Sequence, residues 1–112
     1  MKATIVELAD VIDALGNPDA MTLGQLTDRA AEIGAAAAEW LMEPKNRRSI
    51  PHRMERCGYV PVRNPDADDG RWKRQDKRLV IYAKARLSLR DQITAARRLG
   101  RQKLKGRRPW ST

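Results

Sequence analysis

Apolar residues recur at helical spacing in the first 43 residues of the chain. Residues 4–15, 22–33 and 35–43 each place their apolar side chains on one face, which predicts three helices. The second helix has a defined start, because Thr22 and Gln25 have the spacing of a capping box. This part of the chain is therefore predicted to be helical, with the apolar faces packed together.

Residues 46–57 continue the helical spacing, but their outer positions are basic. Ile50, Met54 and Cys57 form the apolar stripe of this predicted helix. A short helix, a tight turn and a second helix that carries arginines have the spacing of a helix-turn-helix.

Pro51 leaves the start of this basic helix open between two residues. If Asn46 caps the helix, Pro51 lies inside it, where proline removes a backbone hydrogen bond. If Ser49 caps the helix, Pro51 falls in the first turn, where proline is tolerated. In that case Arg47 and Arg48 belong to the preceding turn.

Two alternating runs follow the basic helix, over residues 59–63 and 71–83, and they predict strands. Pro61 restricts the first strand to the edge of a sheet, since proline cannot donate a backbone hydrogen bond. The second run divides into strands over residues 71–74 and 77–82, around a turn at Gln75-Asp76. The sequence therefore predicts a hairpin with a basic tip.

Ser88 is predicted to cap a last helix, which packs back on the domain and continues into a run of basic residues. The order of elements predicts an α+β fold that is mostly helical. It is predicted to be a winged helix-turn-helix with an additional N-terminal helix and a C-terminal helix after the wing. We expect one domain over residues 1–105 and a basic flexible tail over residues 106–112.

The charge is divided unevenly along the chain, whose net charge is +9. Residues 1–43 carry two basic and eight acidic side chains, a net charge of −6, whereas residues 44–112 carry 21 basic and six acidic ones, a net charge of +15. Such segregation within 112 residues indicates one face for a polyanion. We therefore expect double-stranded DNA as the partner, with the basic helix in the major groove and the hairpin on the backbone.

The candidate DNA-binding residues are the basic side chains of the helix, the hairpin and the last helix. They are Arg47, Arg48, His52, Arg53, Arg56, Arg63, Lys73, Arg74, Lys77, Arg78, Arg101 and Lys103. If the basic helix begins at Ser49, Arg47 and Arg48 are expected to contact phosphates rather than bases. Single-stranded DNA is less favoured, because the chain has no phenylalanine and few aromatic residues on which bases could stack.

The sequence lacks the residue patterns of common catalytic sites. His52 is the only histidine and Cys57 the only cysteine, so we expect no serine triad and no zinc site. The aspartates of residues 64–70 do not have the spacing of a calcium loop. We therefore expect a protein that is not an enzyme and that needs no cofactor or metal. The absence of a long apolar run and of a signal peptide favours the cytoplasm and no membrane partner.

Part of the chain resembles a known family. The resemblance covers roughly residues 35–86 and rests on Asn46-Arg47-Arg48, Ile50-Pro51-His52-Arg53, Cys57-Gly58-Tyr59, Val62-Arg63-Asn64, Asp69-Gly70, Trp72 and Lys77-Arg78. These residues are similar to a C-terminal winged-helix segment of phage and plasmid primase-helicase proteins. The resemblance implies a DNA-binding module of mobile-element replication. The sequence departs from those proteins in having no primase or ATPase region, so a stand-alone role as regulator, accessory factor or inhibitor is expected equally.

A second hypothesis comes from a different functional class. The basic surface could bind a host protein, which would make the chain a protein-interaction module or an inhibitor. The acidic N-terminal helices could form a homodimer or dock a protein partner. The leading hypothesis remains a sequence-preferring double-stranded DNA-binding protein of a phage or mobile element, acting in transcription regulation or DNA replication.

Overall fold

A computed structural model describes residues 2–34, 36–74 and 77–101. Over these residues the order is α1 (Lys2–Ala14), β1 (Ala20–Thr22), α2 (Leu23–Glu32), α3 (Ala37–Met42), a 3₁₀ helix (Pro44–Ser49), α4 (Ile50–Arg56), β2 (Tyr59–Val62), β3 (Trp72–Arg74), β4 (Lys77–Leu79), β5 (Ile81–Lys84) and α5 (Leu89–Arg101). The prediction of an α+β fold that is mostly helical is confirmed. No helix in these ranges is long and apolar enough to cross a membrane.

A three-stranded antiparallel sheet separates two apolar cores. Its strand order is β1-β5-β2, with Met21 opposite Tyr82 and Val62 opposite Ile81. Neighbouring residues of a strand point to opposite faces. Tyr82 therefore packs into the core formed with the helices α1–α4, whereas Ile81 packs into the second core, which α5 covers.

The helical core confirms most of the predicted apolar faces. Its fully buried side chains include Leu8, Val11, Leu26 and Met54. The Tyr59 hydroxyl donates a hydrogen bond to the Pro18 carbonyl at 2.6 Å. Burial, followed by the charge of Asp19, raises the pKa of Tyr59 to about 12.

The capping box at the start of α2 is present as predicted. The Gln25 backbone N–H donates to Thr22 Oγ1 at 3.1 Å, and the Thr22 backbone N–H donates to Gln25 Oε1 at 3.0 Å. Thr22 also ends β1, so the same residue closes the strand and opens the helix. This junction between strand and helix fixes the start of α2 relative to the sheet.

The prediction of one helix over residues 46–57 is wrong, because the segment divides into two elements. The 3₁₀ helix ends at Ser49, and α4 begins at Ile50 with Pro51 in its first turn. Proline is tolerated there because the first backbone N–H groups of a helix have no intrahelical acceptor. The Asn46 side chain does not cap α4 but donates to the Trp40 carbonyl at 3.0 Å. The alternative start at Ser49 is confirmed.

The predicted strand over residues 77–82 is also divided. β4 ends at Leu79 and pairs with β3, whereas β5 begins at Ile81 and joins the larger sheet. The hairpin β3–β4 therefore projects from the connection between two adjacent strands, β2 and β5. The indole N–H of Trp72 donates to the Val62 carbonyl at 2.8 Å and attaches the hairpin to the sheet.

Two further predicted positions are confirmed in the structure, and one differs. Pro61 lies in β2, an edge strand, as predicted. Ser88 caps α5 as predicted, because its Oγ accepts the Asp91 backbone N–H at 3.1 Å. The predicted packing of the last helix on the domain does not include Leu89, the first residue of α5, which is 68% exposed. The predicted turn at residues 75–76 and the predicted tail at residues 106–112 lie outside the described residues.

Candidate nucleic-acid interface

A groove lies between the start of α4 and the base of the hairpin. Its volume is about 450 Å³. Arg47 and Pro51 line it on the helical side, and Arg71 and Val80 line it on the hairpin side. Leu23 and Tyr82 contribute apolar surface. The groove thus combines an apolar lining with a guanidinium group on each side.

Arg47 and Arg48 extend from the 3₁₀ helix rather than from α4, and both are exposed. The 3₁₀ helix is held to α3 by the hydrogen bond from Asn46 to Trp40, so its position relative to the core is defined. Arg47 lines the groove from this 3₁₀ helix, which directly precedes α4.

The outer side of α4 carries His52 and Arg56, which are both exposed. Ile50 and Met54 are buried on the opposite side of the helix. Arg53 differs from these two basic residues, because it is partly buried and its guanidinium lies 5.6 Å from the centre of the Trp40 ring. Arg53 therefore makes a cation–π contact that holds α4 against α3.

Replacing Arg53 with alanine is expected to lower the free energy of unfolding by about 0.5–1 kcal/mol, the usual value of a partly exposed cation–π contact. The matched control is Arg56→Ala on the same helix, for which we expect a change within about 0.5 kcal/mol. Urea denaturation followed by circular dichroism measures both. Equal losses in the two variants would contradict a stabilising role for Arg53.

The hairpin has a buried inner face, formed by apolar residues, and a basic outer face. Trp72 is paired with Leu79, and both pack against the second core. Alternation then places Lys73 and its partner Arg78 on the outer face, together with Arg71. These three side chains line a concavity of about 360 Å³ with Asn64 and Ala67.

Two aspartates of the preceding loop contact basic residues. Asp69 Oδ1 lies 3.2 Å from Arg78 Nη2, and Asp66 Oδ2 lies 3.1 Å from Arg97 Nη2 on α5. The Arg71 backbone N–H also donates to Asp69 Oδ1, at 3.0 Å. This backbone hydrogen bond, followed by the hydrogen bond from Arg78, lowers the pKa of Asp69. The loop therefore lies against the basic surface.

Arg63 stabilises this loop from its other end. Its Nη2 donates to the Asp68 carbonyl at 2.8 Å. Gly70 has a φ of +72°, and a Cβ at that position would lie 2.6 Å from Arg63 Nη1. The positive φ favours glycine, and a Cβ at this position would also displace the Arg63 side chain.

The remaining predicted residues are described only in part. Arg74, Lys77 and Arg101 lie in β3, β4 and α5, but their side chains are outside the description, as is the whole of Lys103. Arg71 is a basic residue of the groove that the sequence prediction missed. Arg71 directly precedes β3 and is two residues from Lys73, and this spacing is the signal that could have identified it.

A larger cavity of about 550 Å³ lies near the end of α4, lined by residues that include Cys57, Tyr59, Lys84 and Arg86. Burial raises the pKa of the Cys57 thiol, which is unfavourable for a nucleophile. Lys84 contacts Asp19 at 3.4 Å. Among the described residues, no group of three or more His, Cys, Asp or Glu side chains could hold a metal ion. The groove beside the hairpin is therefore the better candidate site.

Comparisons of the chain with family profiles, curated proteins and solved structures find no match. The similarity to primase-helicase segments stays a prediction.

Proposed function

We propose that this chain is a winged-helix protein that binds double-stranded DNA. The order of elements supports this proposal: a helix and a short strand, then helices that end in α4, then a strand, a hairpin and a strand. The strand order β1-β5-β2 places the hairpin at one edge of the sheet, next to the helices. A winged helix reads DNA with the last helix before the hairpin, which here is α4.

The observation that carries the proposal is the groove between α4 and the hairpin. Arg47 and Arg71 come from segments more than 20 residues apart, yet they line the same groove. Cations on both sides of this groove can contact the phosphates of a DNA backbone that lies along it. Leu23 and Gly24 at the start of α2 also line the groove, whereas the acidic Asp28 and Glu32 of the same helix do not.

The basic residues then have different roles. We assign phosphate contacts to Arg47 and Arg48, which precede α4, and to the three basic residues at the outer face of the hairpin, Arg71, Lys73 and Arg78. His52 and Arg56, on the outer side of α4, face base edges, where arginine prefers guanine. Trp72 and Tyr82 are buried and offer no platform for stacking single-stranded bases.

The wider biological role follows from the resemblance in the sequence. We propose a protein of a phage or mobile element that acts in transcription regulation or DNA replication in the cytoplasm. The protein-interaction hypothesis predicts a different result in the experiment that follows, because a host protein rather than DNA would occupy the basic surface.

A mobility-shift titration of the full chain with random duplex DNA tests the proposal. Five phosphate contacts predict that log affinity falls with log salt concentration with a slope of about −4.5. A single strand of the same length should bind more weakly. The absence of any shift at low salt, or a shift that salt leaves unchanged, would contradict duplex binding and favour the interaction module.

A further inference from the structure

The concavity on the outer face of the hairpin is built to hold an anionic oxygen. Arg71, Lys73 and Arg78 supply three cations on one side of two paired strands. The Arg71 backbone N–H and the Arg78 guanidinium both point to one oxygen, Asp69 Oδ1, at 3.0 and 3.2 Å. A backbone N–H and a guanidinium are also the groups that bind phosphate oxygens in protein–DNA complexes.

The carboxylate that meets these donors is presented by an ordered turn. The Asn64 backbone N–H donates to the Gly70 carbonyl at 2.8 Å, and the Asp66 backbone N–H donates to Asn64 Oδ1 at 3.0 Å. The Asp66–Arg97 pair holds the same turn against α5. Asp69 is therefore kept beside Arg78 by the fold of the loop and not only by the attraction between the two charges.

We propose that the concavity binds one backbone phosphate of the DNA and that Asp69 substitutes for this phosphate in the free protein. The inference rests on the duplex binding proposed above. When the duplex binds, a phosphate oxygen replaces the Asp69 carboxylate at Arg78. Asp69 thus competes with DNA and lowers the affinity of the protein for the duplex.

Asp69→Asn in the full chain tests the competition. Asparagine keeps a side-chain oxygen for the Arg71 N–H, so the turn is retained while the charge opposite Arg78 is lost. The matched control is Asp68→Asn, because among the described residues the Asp68 carboxylate has neither a hydrogen bond nor an ion pair. Both variants change the net charge equally and lie in the same loop.

Asp69→Asn is expected to bind duplex DNA about fivefold more tightly than Asp68→Asn, which corresponds to the usual strength of an exposed ion pair. Its salt slope should equal that of Asp68→Asn, because both complexes contact the same number of phosphates. In an Arg78→Gln background the difference between the two variants should disappear, because no guanidinium is left to release.

The outcomes separate this inference from the proposed function. A wild-type chain that shifts no duplex contradicts duplex binding itself. A wild-type chain that binds, with Asp69→Asn and Asp68→Asn equally tight, overturns the inference, because the loop then acts through net charge alone. NMR titration of the free protein adds an independent check. An Asp69 pKa that rises towards the ordinary aspartate value in the Arg78→Gln variant supports the contact with Arg78, whereas a pKa that this variant leaves unchanged overturns it.

Discussion

Replacing Trp72 with alanine is expected to lower the free energy of unfolding by about 3–5 kcal/mol, the usual cost of truncating a buried tryptophan. The side chain is 5% exposed and packs with Ile81, Ala96 and Leu99 in the core between the sheet and α5. Its loss would leave a cavity at the base of the hairpin and remove the donor to the Val62 carbonyl. Urea denaturation followed by circular dichroism measures the change.

Two controls separate the contributions of Trp72. Trp72→Phe keeps most of the ring packing but leaves the Val62 carbonyl without its donor, and we expect a loss of about 1–3 kcal/mol. Trp40→Ala removes a tryptophan that is only partly buried, so its cost should be clearly smaller than that of Trp72→Ala. If Trp72→Ala lowered the free energy of unfolding less than Trp40→Ala, Trp72 would not be the residue that attaches the hairpin to the sheet.

The double variant Arg47→Ala/Arg71→Ala is expected to bind duplex DNA about 100-fold more weakly. Each charge-assisted hydrogen bond contributes at least about 1.5 kcal/mol, and about 1.4 kcal/mol is a factor of ten in affinity. The salt slope should become less negative by about 1.8, because two phosphates lose their contacts. The melting temperature should remain almost unchanged, since both side chains are exposed.

The control for this variant is Arg86→Ala/Arg90→Ala. These two arginines are also exposed, and replacing them removes the same charge. They do not line the groove beside the hairpin. Mobility-shift titrations at several salt concentrations compare the two double variants. Equal weakening would show that binding follows net charge, and the groove would then have no special role.

The parts of the fold that the sequence predicted correctly depend on interactions between residues close together in the chain. Thr22 and Gln25 specify a helix start through their own hydrogen bonds, and Pro51 restricts the start of α4 through its own ring. Pro61 likewise confines its strand to a sheet edge. In each case the deciding interaction lies within a few residues, so the sequence pattern is sufficient to predict it.

Long-range contacts explain what the sequence did not predict. β1 has only three residues, and its pairing partner Tyr82 lies about 60 residues from Met21, so alternation alone could not reveal it. The division of the last predicted strand at Val80 depends on the same pairing. The Asp69–Arg78 pair and the Arg53–Trp40 contact also join separate elements. The sequence therefore named Arg47 and Lys73 as candidate residues, but it predicted neither Arg71 nor the geometry of the groove.

An amide chemical-shift map of the ¹⁵N-labelled chain, titrated with a short duplex at low salt, tests the central claim most directly. The account predicts the largest changes in residues 47–56, in residues 71–74 and in residues 77–79, with small changes around Asp13, Asp28 and Glu32 on the acidic helices. Largest changes on α1 and α2, with the groove and the hairpin unaffected, would contradict it.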